Sequence, residues 1–347
     1  MRNEGLNKKN ATVSFSLGLI LIPIISILLL ILLIFILSDT PFRTLYFFFF
    51  GPFRNVLSFG NMLNASVPLI FGALGIIIAM KAGSLNLGGE GQVYLGAFVT
   101  CAAALAFGSF GVFAVFALIL GSLCSGAVAA VSGFCKAKWN TNELITTFLI
   151  SCAVIPIINF LVTGPFLDPE TSLVSTRKIA ENMRLPLILR PSSLNAGIFT
   201  AFVFVMLVHL FLYKTRTGYE FRIAGSNELF ARYGGINTKL NTVVAMAMSG
   251  CLYGLAGGIA VLGTHHAVIK DFSSGLGWSG LTVALIAGFS PAAVIPCAFF
   301  LAWINAGARI AMQNTGLAFE VAYIVQAFIF LLSTSLAVKN ILTKRKE

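Results

Sequence analysis

"AGSLNLGGEGQVYLGA", residues 82–97, lies between two apolar runs yet carries Asn86, Glu90, Gln92 and a cluster of glycines. Lipid offers no hydrogen bonds, so irregular backbone at membrane depth must be buried in protein or line a wet cavity. Gly83, Gly88, Gly89 and Gly91 would each cost a helix interior up to about 1 kcal/mol relative to alanine. Their cluster therefore marks a break between two spans, and it places Glu90 in the first turn of the second, near the positive end of the helix dipole. Two readings of the polar residues stand side by side. Asn86 and Glu90 are caps at a tight turn, or they line a translocation path, since carboxylates within a membrane are functional candidates by default.

The rest of the chain fixes the setting of that break. Of 347 residues, 58% are hydrophobic and 10% charged, and the mean hydropathy is +0.93. So few charges cannot cover a soluble domain of this length. Apolar runs long enough to cross a bilayer core of about 30 Å recur throughout, and alternating ten-residue strands of a barrel are absent. The expected fold is an all-α polytopic membrane protein of about ten transmembrane helices, forming one transmembrane domain over 1–347. The spans fall near 15–37, 58–81, 92–108, 110–134, 143–164, 196–213, 242–263, 279–290, 292–309 and 319–339. The eighth and ninth are short and read equally as a broken or re-entrant pair. Phe15 to Leu37 follows Arg2, Lys8 and Lys9 as a signal peptide would, but it is too long for a signal h-region and is taken as an uncleaved span.

The net charge of +11 invites a nucleic-acid partner. The basic residues instead sit in short gaps between apolar runs, as the positive-inside rule predicts, and nucleic acid is rejected. With ten spans, the segments on the side of both termini hold fifteen Lys and Arg and the opposite segments eight. That bias places both termini in the cytoplasm and predicts a multi-pass protein of the cell membrane. Residues 165–195 then form an extracytoplasmic loop, and the basic segment 214–241 lies inside. Within the latter, Ser226 or Asn227 can cap a two-turn helix, "NELFARY", which Gly234 and Gly235 end. The six cysteines lie in or at the ends of apolar runs without CxxC spacing and read as small hydrophobes. The polar break at 82–97 and "FSSGLGWSGLTVALIAG" at 272–288 each follow a span, with five spans between them, which suggests an inverted repeat.

"AGSLNLGGEGQVYLGA" resembles the "AG-x-x-N-I-G-x-E-G-Q" signature of permease subunits of ATP-binding-cassette importers. The group is the ribose/galactoside/branched-chain amino acid permease superfamily, in its nucleoside-type branch. "NTNELITTFLI" at 140–150, "GYEFRIAGSNELFARYGGIN" at 218–237 and "GWSGLTVALIAGFSPAAVIP" at 277–296 are similar to three further segments of that branch, in the same order. Sugar-type permeases usually carry "G-x-D-L-S-V-G" where this chain has Asn86 to Gly91. Glu228 stands where the family usually has proline, and Phe230 where alanine is common.

The resemblance implies a permease subunit of an importer, for nucleosides first and for simple sugars such as pentoses as the alternative. No G-x-x-x-x-G-K-[ST] loop occurs in the chain, so ATP and Mg would be bound by a partner ATP-binding subunit, and the chain would be neither an enzyme nor a holder of cofactor or metal. Further implied partners are a second permease, identical or homologous, and an extracytoplasmic substrate-binding lipoprotein, all acting within membrane lipid. Segment 214–241 becomes the coupling loop: Leu229, Phe230 and Tyr233 as apolar anchors, Arg222 and Arg232 facing acids of the partner, and Asn227, Glu228 and Gly235 shaping the helix. A nucleoside offers hydroxyls and a flat base, matched by amides and an aromatic ring. Candidates for its path are Asn61 and Asn64, three apart on one helix face, then Asn86, Glu90, Gln92, Trp278, Asn305 and Gln326. Trp278 reads first as an interfacial anchor and only then as a stacking face, and interhelical hydrogen bonds are the alternative role for Asn305 and Gln326. His209, His265 and His266 have no acidic chain beside them in sequence, so the different class, a self-sufficient secondary carrier, lacks its proton relay.

Overall fold

Long apolar runs with few charges fold as helices because only intrahelical bonds satisfy the backbone in lipid. The computed structural model describes residues 23–108, 111–316, 318 and 320–345, with Ala322, Ser333 and 335–345 by backbone alone. Residues 15–22 of the first expected span, the basic segment 1–14, and Lys346 and Glu347 lie outside the described residues. Among the described residues there are helices and isolated bridges but no extended sheet. Seven helices among the described residues are long and apolar enough to cross a membrane: α3 (Val56–Lys81), α4 (Gly89–Phe107), α5 (Val112–Trp139), α6 (Glu143–Thr163), α7 (Gly197–Lys214), α10 (Thr238–Ala260, extended to His265) and α12 (Val294–Thr315). Shorter apolar helical stretches are α1 (Pro23–Leu37), α11 (Leu276–Ile286) and Tyr323–Leu332 within α13 (Glu320–Arg345).

Some elements differ from the sequence expectation. Residues 38–57, read as a connection, contain α2 (Pro41–Phe50), started by a proline at its first turn. Segment 214–241 holds two helices rather than one, α8 (Arg216–Ser226) and α9 (Glu228–Tyr233). The ninth expected span, 292–309, is full length as α12, so only α11 of that pair is short.

Helix α3 is the axis of the fold. In its most apolar window 83% of residues are buried, against 22% for α6, which is what an all-round hydrophobic helix requires of its surroundings. Helices α7, α10, α11 and α12 pack against it, and α4 and α5 pack on α10 and on each other through small residues. A Cβ on Gly96 would lie 2.4 Å from the Gly254 Cα, and one on Gly254 would lie 2.8 Å from the Ser122 Cα. Such close backbone approach is the main source of helix association where lipid is as apolar as leucine. The large side chains of the peripheral helices, such as Phe116, Leu149, Phe160 and Met206, remain exposed and suit contact with lipid.

At one end of the bundle the 164–196 connection is stitched to the turn after α10. Thr176 N donates to Val268 O at 2.9 Å, Ile179 N to His266 O at 2.8 Å, and Leu185 N to Leu262 O at 2.9 Å. At the opposite end lie α8 and α9.

Candidate functional site

The break after α3 runs without regular secondary structure from Ser84 to Gly88 before α4 begins. Gly83 sits against the Cα of Gly225 at the end of α8, whereas Asn86 donates to Ser249 Oγ at 3.0 Å. Ser249 lies eleven residues into α10, roughly 16 Å along its axis. The segment therefore climbs from the α8 end back into the bundle, and α4 starts at depth. Its exposed amides are met by side chains. Leu87 N donates to Thr147 Oγ1 (3.1 Å), Gly88 N to Asn86 Oδ1 (2.9 Å) and Gly91 N to Ser151 Oγ (2.7 Å). Asn86 Nδ2 also donates to Gln92 Oε1 at 2.7 Å. Asn86 and Gln92 are thus spent within a buried network.

Helix α11 has the matching form. After the turn at the end of α10, the chain passes through positive φ at Asp271, Ser274 and Gly275, and α11 begins beside Glu90. Glu90 Oε1 accepts from Gly277 N at 2.9 Å and from Trp278 N at 3.4 Å. One carboxylate therefore stands in the first turn of α4 and caps the N-terminus of α11, where negative charge complements both dipoles. A Cβ on Gly277 would fall 2.5 Å from Glu90 N, so glycine there lets the two helix starts touch. Between Asn86, Glu90, Tyr253 and Trp278 a space of about 10 Å³ remains, no more than one water occupies. Among the described residues these side chains leave no wider space between them.

On the 164–196 side of that closure, a cavity of about 560 Å³ opens, a size that suits a small-molecule ligand. Its wall is built from the first turns of α3 (Ser58, Asn61, Asn64), the end of the connection (Ser193, Asn195), the π-turn that closes α10 (Thr264, His265) and the last turns of α12 (Arg309, Gln313). Asn64 is 7% exposed and Asn195 1%. Asn64 Nδ2 donates to Thr264 Oγ1 at 2.8 Å, and Asn195 Nδ2 donates to Asn64 Oδ1 at 2.9 Å and to Gly263 O at 3.0 Å. Asn61 Oδ1 accepts from both N and Oγ of Ser193, each at 2.8 Å. Met62, Val67, Pro68, Ile259 and Leu276 supply an apolar surface.

The expected path residues thus fall into three places. Asn61 and Asn64 face the open cavity; Asn86, Glu90, Gln92 and Trp278 surround the closed level. Gln326 donates to Ser279 Oγ at 2.8 Å, tying α13 to α11, and Asn305 is half-buried on α12 next to Ala306 of the cavity wall. Ser193, Asn195, Thr264 and Arg309 escaped the sequence reading; they lie in loops or at helix ends, where no periodicity marks them.

At the other end, Asn227 Oδ1 accepts from Phe230 N at 3.0 Å and starts α9, and Gly235 follows it at φ 78°. Leu229, Phe230 and Tyr233 are 67%, 63% and 91% exposed. Arg232 pairs with Glu228 one turn back and donates to Thr238 Oγ1 at 3.1 Å. Arg222 lies over the rings of Tyr213 and Tyr219. Both arginines are therefore partly engaged within the chain.

A family model described as "Branched-chain amino acid transport system / permease component" matches residues 58–334. The probable riboflavin import permease protein of Treponema pallidum is 33% identical over 301 residues, 85% of this chain and 79% of that protein. The guanosine ABC transporter permease protein of Bacillus subtilis is 28% identical over 305 residues, 86% of this chain and 87% of that one. A nucleoside ABC transporter permease protein of Lactococcus lactis is 26% identical over 310 residues, covering 86% and 85%. No solved structure matches the chain.

Proposed function

The chain belongs to the branched-chain amino acid transport system permease family, and from that premise we propose that it is the membrane-spanning subunit of an ATP-driven importer for nucleosides. The observation that carries the substrate is the pairing of two kinds of evidence: relatives named for guanosine and nucleosides, and an open cavity whose amide wall faces an apolar surface. Hydroxyls and a flat ring need those two surfaces.

In this reading the α8–α9 end is cytoplasmic and the 164–196 end external, as the Lys and Arg bias favours. The capped helix α9 presents Leu229, Phe230 and Tyr233, more exposed apolar surface than topology requires, and it docks an ATP-binding subunit. That partner binds ATP and Mg. A second permease subunit and an external binding lipoprotein complete the assembly. With that orientation, the accessible cavity and the narrow Glu90 level correspond to the outward-open, inward-closed form of an alternating-access cycle. ATP-driven movement of α8–α9 would part the two helix starts at Glu90 and open the path inward.

A second reading has one observation in its favour: the relative named for riboflavin. A flavin shares with a nucleoside a flat heterocycle bearing a hydroxylated chain. The test is uptake into proteoliposomes holding the permeases, with and without the ATPase and binding lipoprotein. Nucleoside uptake that needs ATP and the ATPase is expected; uptake of riboflavin alone would transfer the assignment to the second reading. Uptake by the permease unaided, driven by an ion gradient, would overturn both. In the same preparation, replacing Phe230 and Tyr233 by Asp should abolish copurification of the ATPase while leaving membrane insertion intact.

A further inference from the structure

The polar atoms of the cavity divide unevenly. Asn61 Oδ1 is taken twice by Ser193, and Asn64 Oδ1 is taken by Asn195, so the amide acceptors of α3 are used inside the wall. Asn61 Nδ2 has no hydrogen-bond partner among the described residues. Arg309 lines the same space and takes part in none of the ion pairs or hydrogen bonds found among the described residues. No Asp or Glu lines the cavity. Ser58, His265 and Gln313 also line the space and can donate or accept, so what sets this wall apart is charge: Arg309 is the one permanently charged side chain among the described residues that line it.

We infer that Arg309 is a specificity-determining residue of this cavity, selecting heterocycles that present an acceptor edge, oxo-substituted rather than amino-substituted. This rests on the proposal that the cavity receives the transported compound. A guanidinium carries five donors in a planar fork and no acceptor. It matches an adjacent carbonyl oxygen and ring nitrogen, the O6 and N7 of a 6-oxopurine, in bidentate fashion. A 6-aminopurine sets a donor against that fork, and such mismatched recognition weakens binding roughly tenfold. Met62, Pro68 and Ile259 line the same space as Arg309 and supply an apolar surface for the ring.

The experiment reads occupancy of this cavity directly. Ser58 lines it, so a Ser58→Cys chain in the permease–ATPase complex, without binding lipoprotein, is labelled with a maleimide; the chain retaining only its native cysteines supplies the blank. Guanosine should slow labelling at concentrations roughly tenfold below those of adenosine. Adding Arg309→Gln should erase that difference while adenosine protection persists, and Arg309→Lys should restore it only in part, because a lysine lacks the fork. Riboflavin, which also carries an acceptor edge, is run in parallel, and its protection should likewise weaken in Arg309→Gln. Protection that differs between guanosine and adenosine equally well in Arg309→Gln would overturn the inference, as would protection by none of the three. The functional reading fails separately, by absence of ATP-driven uptake of any nucleoside.

Discussion

Glu90 holds a position that two separate helices depend on. Its carboxylate accepts from Gly277 N and Trp278 N across 187 and 188 residues of sequence, and it stands in the first turn of α4. Replacing it with alanine strands Gly277 N in a region where lipid and packed side chains offer no substitute, at about 1–3 kcal/mol for an unmet buried donor. Glutamine keeps one acceptor and should cost less. Chemical unfolding of the purified complex should rank wild type above Glu90→Gln and Glu90→Ala last; equal stability of all three would show that the α11 cap carries no weight. The glycine cluster beside Glu90 was enough to place it at a helix start from sequence, because that signal is local. Its partner was not legible, since nothing in 276–278 marks which distant group will meet those amides. The same division runs through the cavity: Asn61 and Asn64 were visible as one helix face, whereas Ser193, Asn195 and Thr264 reach it from segments without a period.

The α4–α5–α10 packing shows how small residues decide element geometry. Gly96, Gly121, Gly126, Gly250 and Gly254 sit where a Cβ would lie under 3 Å from a neighbouring helix. A Gly254→Val variant must push α5 away, since the atoms it meets include the Ser122 Cα, and backbone cannot yield as a side chain tip does. Overpacking of this kind costs about 1–3 kcal/mol or more. Loss of monodisperse complex on mild heating in detergent checks it, with Leu123→Val on the exposed face of α5 as control; a Gly254→Val complex as robust as that control would show the contact to be slack. Span positions were legible because apolar runs of bilayer length are a strong signal. Helix α2 was not, being too short to cross and ending in an unbroken aromatic run, "FFFF" at 47–50, that reads as part of a loop between spans. Helix α8 was hidden by its polar composition, although Thr215 Oγ1, accepting from Gly218 N at 3.1 Å, gives it an ordinary cap.

Across the whole molecule, the proposed docking end meets the segment leading to the closed level at the turn after α3. Gly225 closes α8 against the turn after α3: a Cβ there would lie 2.3 Å from Lys81 O and 2.9 Å from Gly83 N. Lys136 pins the same turn from α5, donating to Gly83 O and Ser84 Oγ at 3.0 Å each while pairing with Glu143 at 2.8 Å. Movement of α8 therefore bears directly on the segment that leads to Asn86 and Glu90. Physical contiguity alone does not establish coupling; what is required is an element with two arrangements that both sites bias. The Glu90 closure is the element that fits this requirement. A Gly225→Val variant should separate the functions: α9 is untouched, so the ATPase should still copurify and hydrolyse ATP, while most ATP-driven uptake is lost because α8 no longer seats on the break. A Lys136→Met variant, which frees the turn without crowding it, should raise basal ATP hydrolysis uncoupled from uptake. If Gly225→Val transports as well as wild type at equal ATPase content, force does not pass through this contact, and the path from α9 to Glu90 must run elsewhere.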